Sequence, residues 1–273
     1  MTAGLPFGEV IGDPIEHSRS PLIHRFWLDA LGIAGDYRRT RVGEGELAAH
    51  VAQVRADPAW RGSNVTMPLK QDALDIAEEA TDRAVAAGAA NLLLIRKDKL
   101  FAANTDVGAI ATLIDRARDA GRRIATVTLF GCGGAARGAL VALKLLHIDQ
   151  VRIQARDMAA ATKLSVEFGL KLAPRPLTAT VDTDALINAT PLGMEGFDCL
   201  NCDLAAMPAA ALVFDMVSNP VDTPLIAAAR ARDLALVTGL EMLVEQAASS
   251  FKLMFGQEPP RDRDADLWKV LKP

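Results

Sequence analysis

Cysteine, histidine, long apolar runs and surplus positive charge are all scarce in this chain of 273 residues, and each shortage removes a class of function. The three cysteines, Cys132, Cys199 and Cys202, are too few and too uneven for a disulfide framework. Cys199 and Cys202 do stand as CxxC, but no second pair completes a zinc site, so they read as incidental thiols on a loop. His17, His24, His50 and His147 show no ligand spacing; no metal is expected, and each ring is read as structural or solvent-facing. No uncharged apolar stretch approaches the roughly 18 residues that a spanning helix needs. Met1 to Pro6 put no basic flank before an apolar stretch, so neither a targeting segment nor a membrane partner is expected, and the predicted location is cytoplasmic. Thirty basic residues against thirty-four acidic ones leave a net charge of −4, which argues against a nucleic-acid partner.

Half of the residues are hydrophobic and 23% are charged, the balance of a globular protein with apolar material for one large core or two modest ones. From 107 to 238 short β-branched or apolar runs alternate with Ala-rich, helix-spaced segments, the pattern of βαβ units around a parallel sheet. Strands are predicted at 124–130, 150–155, 185–188, 212–215 and 234–237, with helices at 138–146 and from about 159 to 168. The first hundred residues mix strands and helices as a separate α/β unit, opening with a strand at 9–12 and an amphipathic helix at 21–31. Residues 240–255 carry apolar side chains at helical spacing.

Gly131-x-Gly133-x-x-Ala136 directly follows the strand at 124–130 and opens a helix. In that setting the first glycine permits a tight turn, Gly133 lets backbone approach a diphosphate, and a small residue at 136 allows close helix packing. The amides of Gly134 and Ala135 and the helix dipole then face the phosphates. The next strand ends about 24 residues beyond Gly131 at Ala155-Arg156-Asp157, where such folds read the adenosine ribose. An acidic residue there suits a 2′-hydroxyl and an arginine a 2′-phosphate; this chain has both. Alternatively, the two are solvated residues leading into a helix.

A hydride-transfer enzyme also needs a group that moves a proton at the reacting oxygen. The stretch Ser63-Asn64-Val65-Thr66-Met67-Pro68-Leu69-Lys70 sets polar side chains at alternate positions of a strand end, with a lysine beyond. Asn104-Thr105-Asp106 follows a plausible hairpin. Taken alone, Lys70 reads as a surface lysine and Asp106 as a helix N-cap.

The chain resembles the shikimate dehydrogenase family along nearly its whole length. The resemblance is carried by Val10-Ile11-Gly12-Asp13-Pro14-Ile15 with His17-Ser18-x-Ser20-Pro21, Asn64-Val65-Thr66-x-Pro68-x-Lys70, Gly88-Ala89-Ala90-Asn91 and Asn104-Thr105-Asp106. Further on come Gly131-x-Gly133-Gly134-Ala135, Asn188-Ala189-Thr190-Pro191-Leu192-Gly193-Met194, Thr223-Pro224-Leu225 and Met242-Leu243-x-x-Gln246. It implies an α/β substrate-binding domain made of 1–106 with 239–273, and a doubly wound Rossmann-type nucleotide-binding domain at 107–238. Ser18 and Ser20 would hold the carboxylate of a ring hydroxy acid, although Ser20 also reads as an N-cap ahead of Pro21. Asn64, Thr66, Asn91, Asp106 and Gln246 would surround the ring hydroxyls, with Lys70 as general acid/base paired with Asp106. Thr190, Met216, Gly239 and Met242 would join Gly131, Gly133, Gly134, Ala135, Ala155, Arg156 and Asp157 at the cofactor. The implied reaction is hydride transfer between a nicotinamide dinucleotide and shikimate or 3-dehydroshikimate, by a monomer or homodimer.

Several positions depart from the family pattern. Ala155-Arg156-Asp157 replaces Asn-Arg-Thr, and Ala160 replaces a later arginine; a carboxylate there repels a phosphate, which predicts NAD over NADP, with NADP still possible. Leu92 stands for a threonine and Ser218 for a tyrosine, changes expected to alter pocket contacts. Val107-Gly108-Ala109 follows Asp106 in place of glycine, any residue, glycine, which is expected to shift the helix start slightly. Glu241 stands for a glycine, which puts a charge near the nicotinamide. Quinate or an amino-substituted analogue is therefore an alternative substrate, and a dinucleotide-binding regulator with little turnover is an alternative of another class. Folate-linked dehydrogenases of similar layout leave the paired serines unexplained.

Overall fold

The computed structural model describes residues 4–271. The chain divides into two compact units, one running to Thr105 and resuming at Val244, the other spanning Asp106–Leu243.

The first unit contains β1 (Phe7–Gly12), α1 (Ser20–Leu31), β2 (Asp36–Arg41), α2 (Leu47–Arg55), β3 (Trp60–Val65), α3 (Lys70–Asp75), β4 (Glu79–Ala80), α4 (Asp82–Ala87), β5 (Leu92–Arg96) and β6 (Lys99–Ala103). Its six-stranded sheet has the order β2-β1-β3-β5-β6-β4. The sheet is mixed: β1 runs parallel to β2 and β3, whereas β3, β5 and β6 pair antiparallel. β5 and β6 meet in a tight hairpin whose turn residues, Lys97 and Asp98, both have positive φ (51° and 65°), as a type I′ turn requires. One face buries Ile11, Val65, Leu69 and Leu93, the other Val10, Tyr37, Leu92 and Met254. On that second face Gly8 and Gly62 give up their side chains to neighbours: a Cβ at Gly8 would lie 2.9 Å from Met254 Sδ, and one at Gly62 2.8 Å from the Leu93 carbonyl.

The second unit follows with α5 (Thr105–Asp119, its first residue in the first unit), β7 (Thr126–Phe130), α6 (Gly134–Leu145), β8 (Gln150–Ala155), α7 (Met158–Phe168), β9 (Arg175–Pro176), β10 (Ala185–Asn188), β11 (Leu212–Asp215), α8 (Pro224–Arg230) and β12 (Ala235–Val237). All pairings are parallel in the order β12-β11-β10-β7-β8-β9, the order of a doubly wound dinucleotide-binding sheet. The strand order reverses between β7 and β10, and ligands of such sheets bind outside the strand ends at that point. α9 (Gly239–Phe255) starts in this unit and ends in the first, which it completes with α10 (Asp264–Leu271).

Strands expected at 150–155, 185–188 and 212–215 form with those bounds. The helix expected at 138–146 instead begins at Gly134, because small residues at 134–136 read as loop although they carry helical backbone. Among the described residues no helix is long and apolar enough to cross a membrane.

Candidate active site

Ser18 and Ser20 lie at the start of α1, 3.3 Å apart between hydroxyl oxygens, and the Ser20 N–H points at Ser18 Oγ at 3.4 Å. The helix cap is Arg19, not Ser20, which is the first helical residue with Pro21 behind it. Ser20 is buried, so its hydroxyl serves the pair and not the helix end. Arg39 Nε donates to the Ser18 carbonyl at 2.7 Å, and Arg19 bonds the Leu271 carbonyl at 2.6 Å.

Asn64, near the end of β3, is 5% exposed and fully specified. Its Oδ1 accepts from the Tyr37 hydroxyl at 2.8 Å, and its Nδ2 donates to Ser250 Oγ at 2.8 Å and to the Asn91 carbonyl at 3.2 Å. Thr66 follows two residues later, half-buried, with its N–H on the Ile11 carbonyl. A Cβ at Gly12 would lie 2.5 Å from Thr66 Cγ2 and 2.7 Å from the Met67 carbonyl, so only glycine lets the ends of β1 and β3 come this close.

Asn91 Oδ1 accepts from the Thr105 N–H at 2.7 Å, and Asn91 Nδ2 reaches Thr105 Oγ1 at 2.9 Å and Gln246 Oε1 at 3.4 Å. Thr105 Oγ1 also meets Gln246 Oε1 at 3.3 Å and Ser250 Oγ at 3.2 Å. Asn104 Nδ2 ties the neighbouring turn to the Ala89 carbonyl at 2.8 Å. The structure thus gathers Asn64, Asn91 and Gln246 into one buried amide and hydroxyl cluster, with Tyr37, Thr105 and Ser250 as members that sequence reasoning did not assign. Ser250 lies four residues after Gln246, one helical turn, and that spacing was the available signal. Tyr37 carried none.

Lys70 is the half-buried first residue of α3, and its carbonyl accepts from the Ala90 N–H at 2.7 Å, one residue before Asn91. Asp106 is 4% exposed. It is not the N-cap expected from the sequence but an acidic residue inside the first turn of α5, which starts at Thr105 despite Val107-Gly108-Ala109. Asn91 thus joins the backbone leading from Lys70 to the residue immediately before Asp106.

In the second unit Gly131 has φ of +105°, and a Cβ there would lie 3.0 Å from Thr190 Cγ2 and 3.2 Å from the Ala189 carbonyl. β7 and β10 therefore release their chains side by side at the point of strand reversal. Gly133 caps α6 in extended conformation, with no atom within 4 Å of where a Cβ would be. Gly134 and Ala135 supply the first amides of the helix, which have no intrahelical acceptor, while Ala136 is buried against the sheet. An open backbone cradle at a helix N-terminus fits the diphosphate of a dinucleotide.

At the end of β8 Ala155 is buried, and Arg156 and Asp157 are exposed. Asp157 is the N-cap of α7, accepting from the Ala159 and Ala160 amides at 2.9 and 3.0 Å. Its charge also reaches the glycine turn: burial, and then Asp157, raise the Cys132 thiol above its usual range.

Under the β10 and β11 ends lies a second buried polar set. Asn188 Oδ1 accepts from the Thr190 N–H and hydroxyl, and Asn188 Nδ2 donates to Asp215, which also accepts from Thr223 Oγ1 at 2.6 Å. Burial pushes the Asp215 carboxyl up, although bonds from Thr223, Val217 and Asn188 oppose it. Met216 follows Asp215 and is half-buried. A Cβ at Gly239 would lie 2.3 Å from the Val217 carbonyl carbon, so α9 can start there only on glycine. Met242, one turn on, is 7% exposed.

Three comparisons identify the lineage. The sequence model of the shikimate dehydrogenase substrate binding domain matches residues 10–93, and that of the shikimate 5'-dehydrogenase C-terminal domain matches 239–265. A relative from Sphingopyxis alaskensis, named shikimate dehydrogenase (NADP(+)), is 45% identical over 97% of both chains. The chain belongs to the shikimate dehydrogenase family. The shikimate 5-dehydrogenase of Thermus thermophilus, solved with NADP(H) and shikimate, matches with a TM-score of 0.84 and 30% identity over 98% of this chain and all of the other. The enzyme from Listeria monocytogenes, solved with shikimate and NAD, matches at 0.83 and 26% over all of this chain and 98% of the other.

Against that family, two departures have local explanations. Leu92 is fully buried in the core beside Val10 and Tyr37, so it fills the sheet and does not alter pocket contacts as expected. Glu241 turns back on the helix start: its Oε2 accepts from the Thr238 N–H at 2.7 Å and hydroxyl at 2.8 Å, and Thr238 Oγ1 accepts from the Glu241 N–H. This is a capping box, and it occupies the charge expected near the nicotinamide. Ser218 is half-buried, and nothing in the structure explains its exchange for tyrosine. The NAD preference expected from Asp157 is not supported by the relatives, whose names specify NADP(+). The CxxC thiols are free, and burial, then Asp215 and Asp203, push Cys202 up to about 11. Among the described residues no cluster could hold a metal.

Proposed function

We propose that the protein is a shikimate dehydrogenase: an oxidoreductase that interconverts shikimate and 3-dehydroshikimate with a nicotinamide dinucleotide. The observation that carries the reading is the buried cluster of Asn64, Asn91, Thr105 and Gln246 joined to the backbone of Lys70. Short amide and hydroxyl groups suit a polyhydroxylated ring because each ring hydroxyl is both donor and acceptor.

In this reading Ser18 and Ser20 hold the ring carboxylate, and Asn64, Thr66, Asn91, Asp106 and Gln246 select the hydroxyl pattern. Lys70 donates a proton to the carbonyl oxygen during reduction and, as the neutral amine, accepts it during oxidation. Asp106 orients Lys70 and the substrate. When bound, the nicotinamide supplies or accepts the hydride. Residues 1–106 with 239–273 serve the substrate; 107–238 serve the dinucleotide through Gly131, Gly133, Gly134, Ala135, Thr190 and Met216, joined there by Gly239 and Met242 at the start of α9.

Between the dinucleotides, Asp157 shifts preference toward NAD. What supports this is an exposed carboxylate at the end of β8 whose charge reaches the glycine turn, because it repels a 2′-phosphate. Arg156 beside it is the group that would hold that phosphate. Steady-state turnover with shikimate and quinate, each crossed with NAD and NADP, tests the whole reading. Efficient use of shikimate supports the activity, and higher kcat/KM with NADP than with NAD removes the cofactor role of Asp157. Tight dinucleotide binding with no turnover of any ring acid would instead mark a regulator.

A further inference from the structure

Four exposed arginines, Arg25 on α1 and Arg38, Arg39 and Arg41 on β2, crowd one edge of the first sheet. Three are already engaged. Arg25 pairs with Asp36 at 2.8 Å, Arg41 with Asp13 at 2.7 Å, and Arg38 lies over the Phe7 ring, 3.4 Å from its centre. Among the described residues Arg39 pairs with no carboxylate. Its one hydrogen bond runs from Nε to the Ser18 carbonyl at 2.7 Å, leaving the other donors of a five-donor fork for a ligand.

The surroundings of Ser18 favour negative charge. The two serine hydroxyls stand 3.3 Å apart at the first turn of a twelve-residue helix, whose N-terminal amides carry partial positive charge. The acidic groups of the same loop are spent elsewhere: Asp13 on Arg41, and Glu16 on the Ile15 N–H at 3.0 Å. Arg39 shares a sheet face with Tyr37, two residues earlier, which holds Asn64. The strand that orients the hydroxyl-reading amide therefore also delivers the cation to the serine pair.

We propose that Arg39 is the charge-selecting member of the carboxylate subsite: it fixes Ser18 through its carbonyl and supplies the full positive charge that distinguishes a ring carboxylate from a neutral group. The proposal rests on the reading that Ser18 and Ser20 hold that carboxylate. Removing a charge-assisted partner of an anion costs affinity, whereas the reacting oxygen, handled by Lys70, is untouched.

The test compares wild type, Arg39→Gln and Arg39→Lys on shikimate and on its neutral methyl ester, with calorimetric titration of both ligands into the full chain. Arg39→Gln should raise KM and Kd for shikimate about tenfold with kcat within about twofold, and should leave the ester unchanged. Arg39→Lys should recover part of the loss, since it restores charge but not the fork. Unchanged shikimate affinity in Arg39→Gln overturns the proposal, and so does an equal loss on acid and ester, which would mean that Arg39 only packs Ser18. If wild type binds shikimate without turning it over, the proposed activity fails while the binding comparison still decides the role of Arg39.

Discussion

Asn91 Oδ1 accepts the backbone N–H of Thr105 at 2.7 Å, fixing the first residue of α5 from fourteen residues away. The nitrogen of the same side-chain amide donates to Gln246 Oε1, 155 residues away in the chain. One buried side chain thus sets both the start of the helix that carries Asp106 and the position of a residue on α9.

Asn91→Ala would leave the Thr105 N–H and the Gln246 oxygen without that partner in a buried place. The expected loss is about 2 kcal/mol of stability, because buried unsatisfied polar groups cost roughly 1–3 kcal/mol each. Urea midpoints measure it, and an unchanged midpoint would mean that water or a neighbour replaces the amide.

Lys70→Ala truncates the first residue of a six-residue helix at a half-buried place, so the fold should tolerate it. With Lys70 as the proton donor, kcat should fall by about 10²–10⁴ while KM for shikimate changes little. Retained turnover in steady-state assays would take the lysine out of the chemical step.

Asp157→Thr removes the carboxylate and keeps a residue type that can cap α7. Selectivity, taken as kcat/KM for NADP over that for NAD, should rise about tenfold as repulsion of the 2′-phosphate is relieved. Arg156→Ala should lower it. A ratio that ignores Asp157→Thr would leave the aspartate as a helix cap alone.

His24 sets an acid limit. Its ring is fully buried and stacked on Tyr37 at 3.9 Å, and among the described residues neither ring nitrogen finds a partner. Burial lowers its pKa from 6.5 to about 3. The unfolded chain therefore takes up a proton that the folded chain refuses, and stability falls as pH drops from 6.5 toward 3, by up to about 1.4 kcal/mol per pH unit. Glu9 adds to the loss at lower pH: burial disfavours its charge, but bonds from His50, Thr40 and Ser63 outweigh that and hold its carboxyl low. Urea midpoints at about pH 7 and about pH 5 should differ less in His24→Phe than in wild type.

Much of the molecule is written in local order. Buried parallel strands appear as short β-branched runs, so 150–155, 185–188 and 212–215 could be bounded by reading alone. Gly131 declared a strand-to-helix turn because its backbone, at φ of +105°, suits glycine. Other features needed partners far along the chain. Tyr37 and Ser250 join the Asn64 cluster from 27 and 186 residues away, and no periodicity announces such a bond. Leu92 read as a changed pocket contact and is core; Glu241 read as a new charge near the cofactor and is half of a capping box. The sequence by itself determined the family, the βα succession and the residue types able to do the chemistry, since these depend on neighbours within a turn or a strand. Tertiary structure alone decided which polar groups share a buried network and which charges are already satisfied, because a hydrogen bond depends on distance in space and not in sequence.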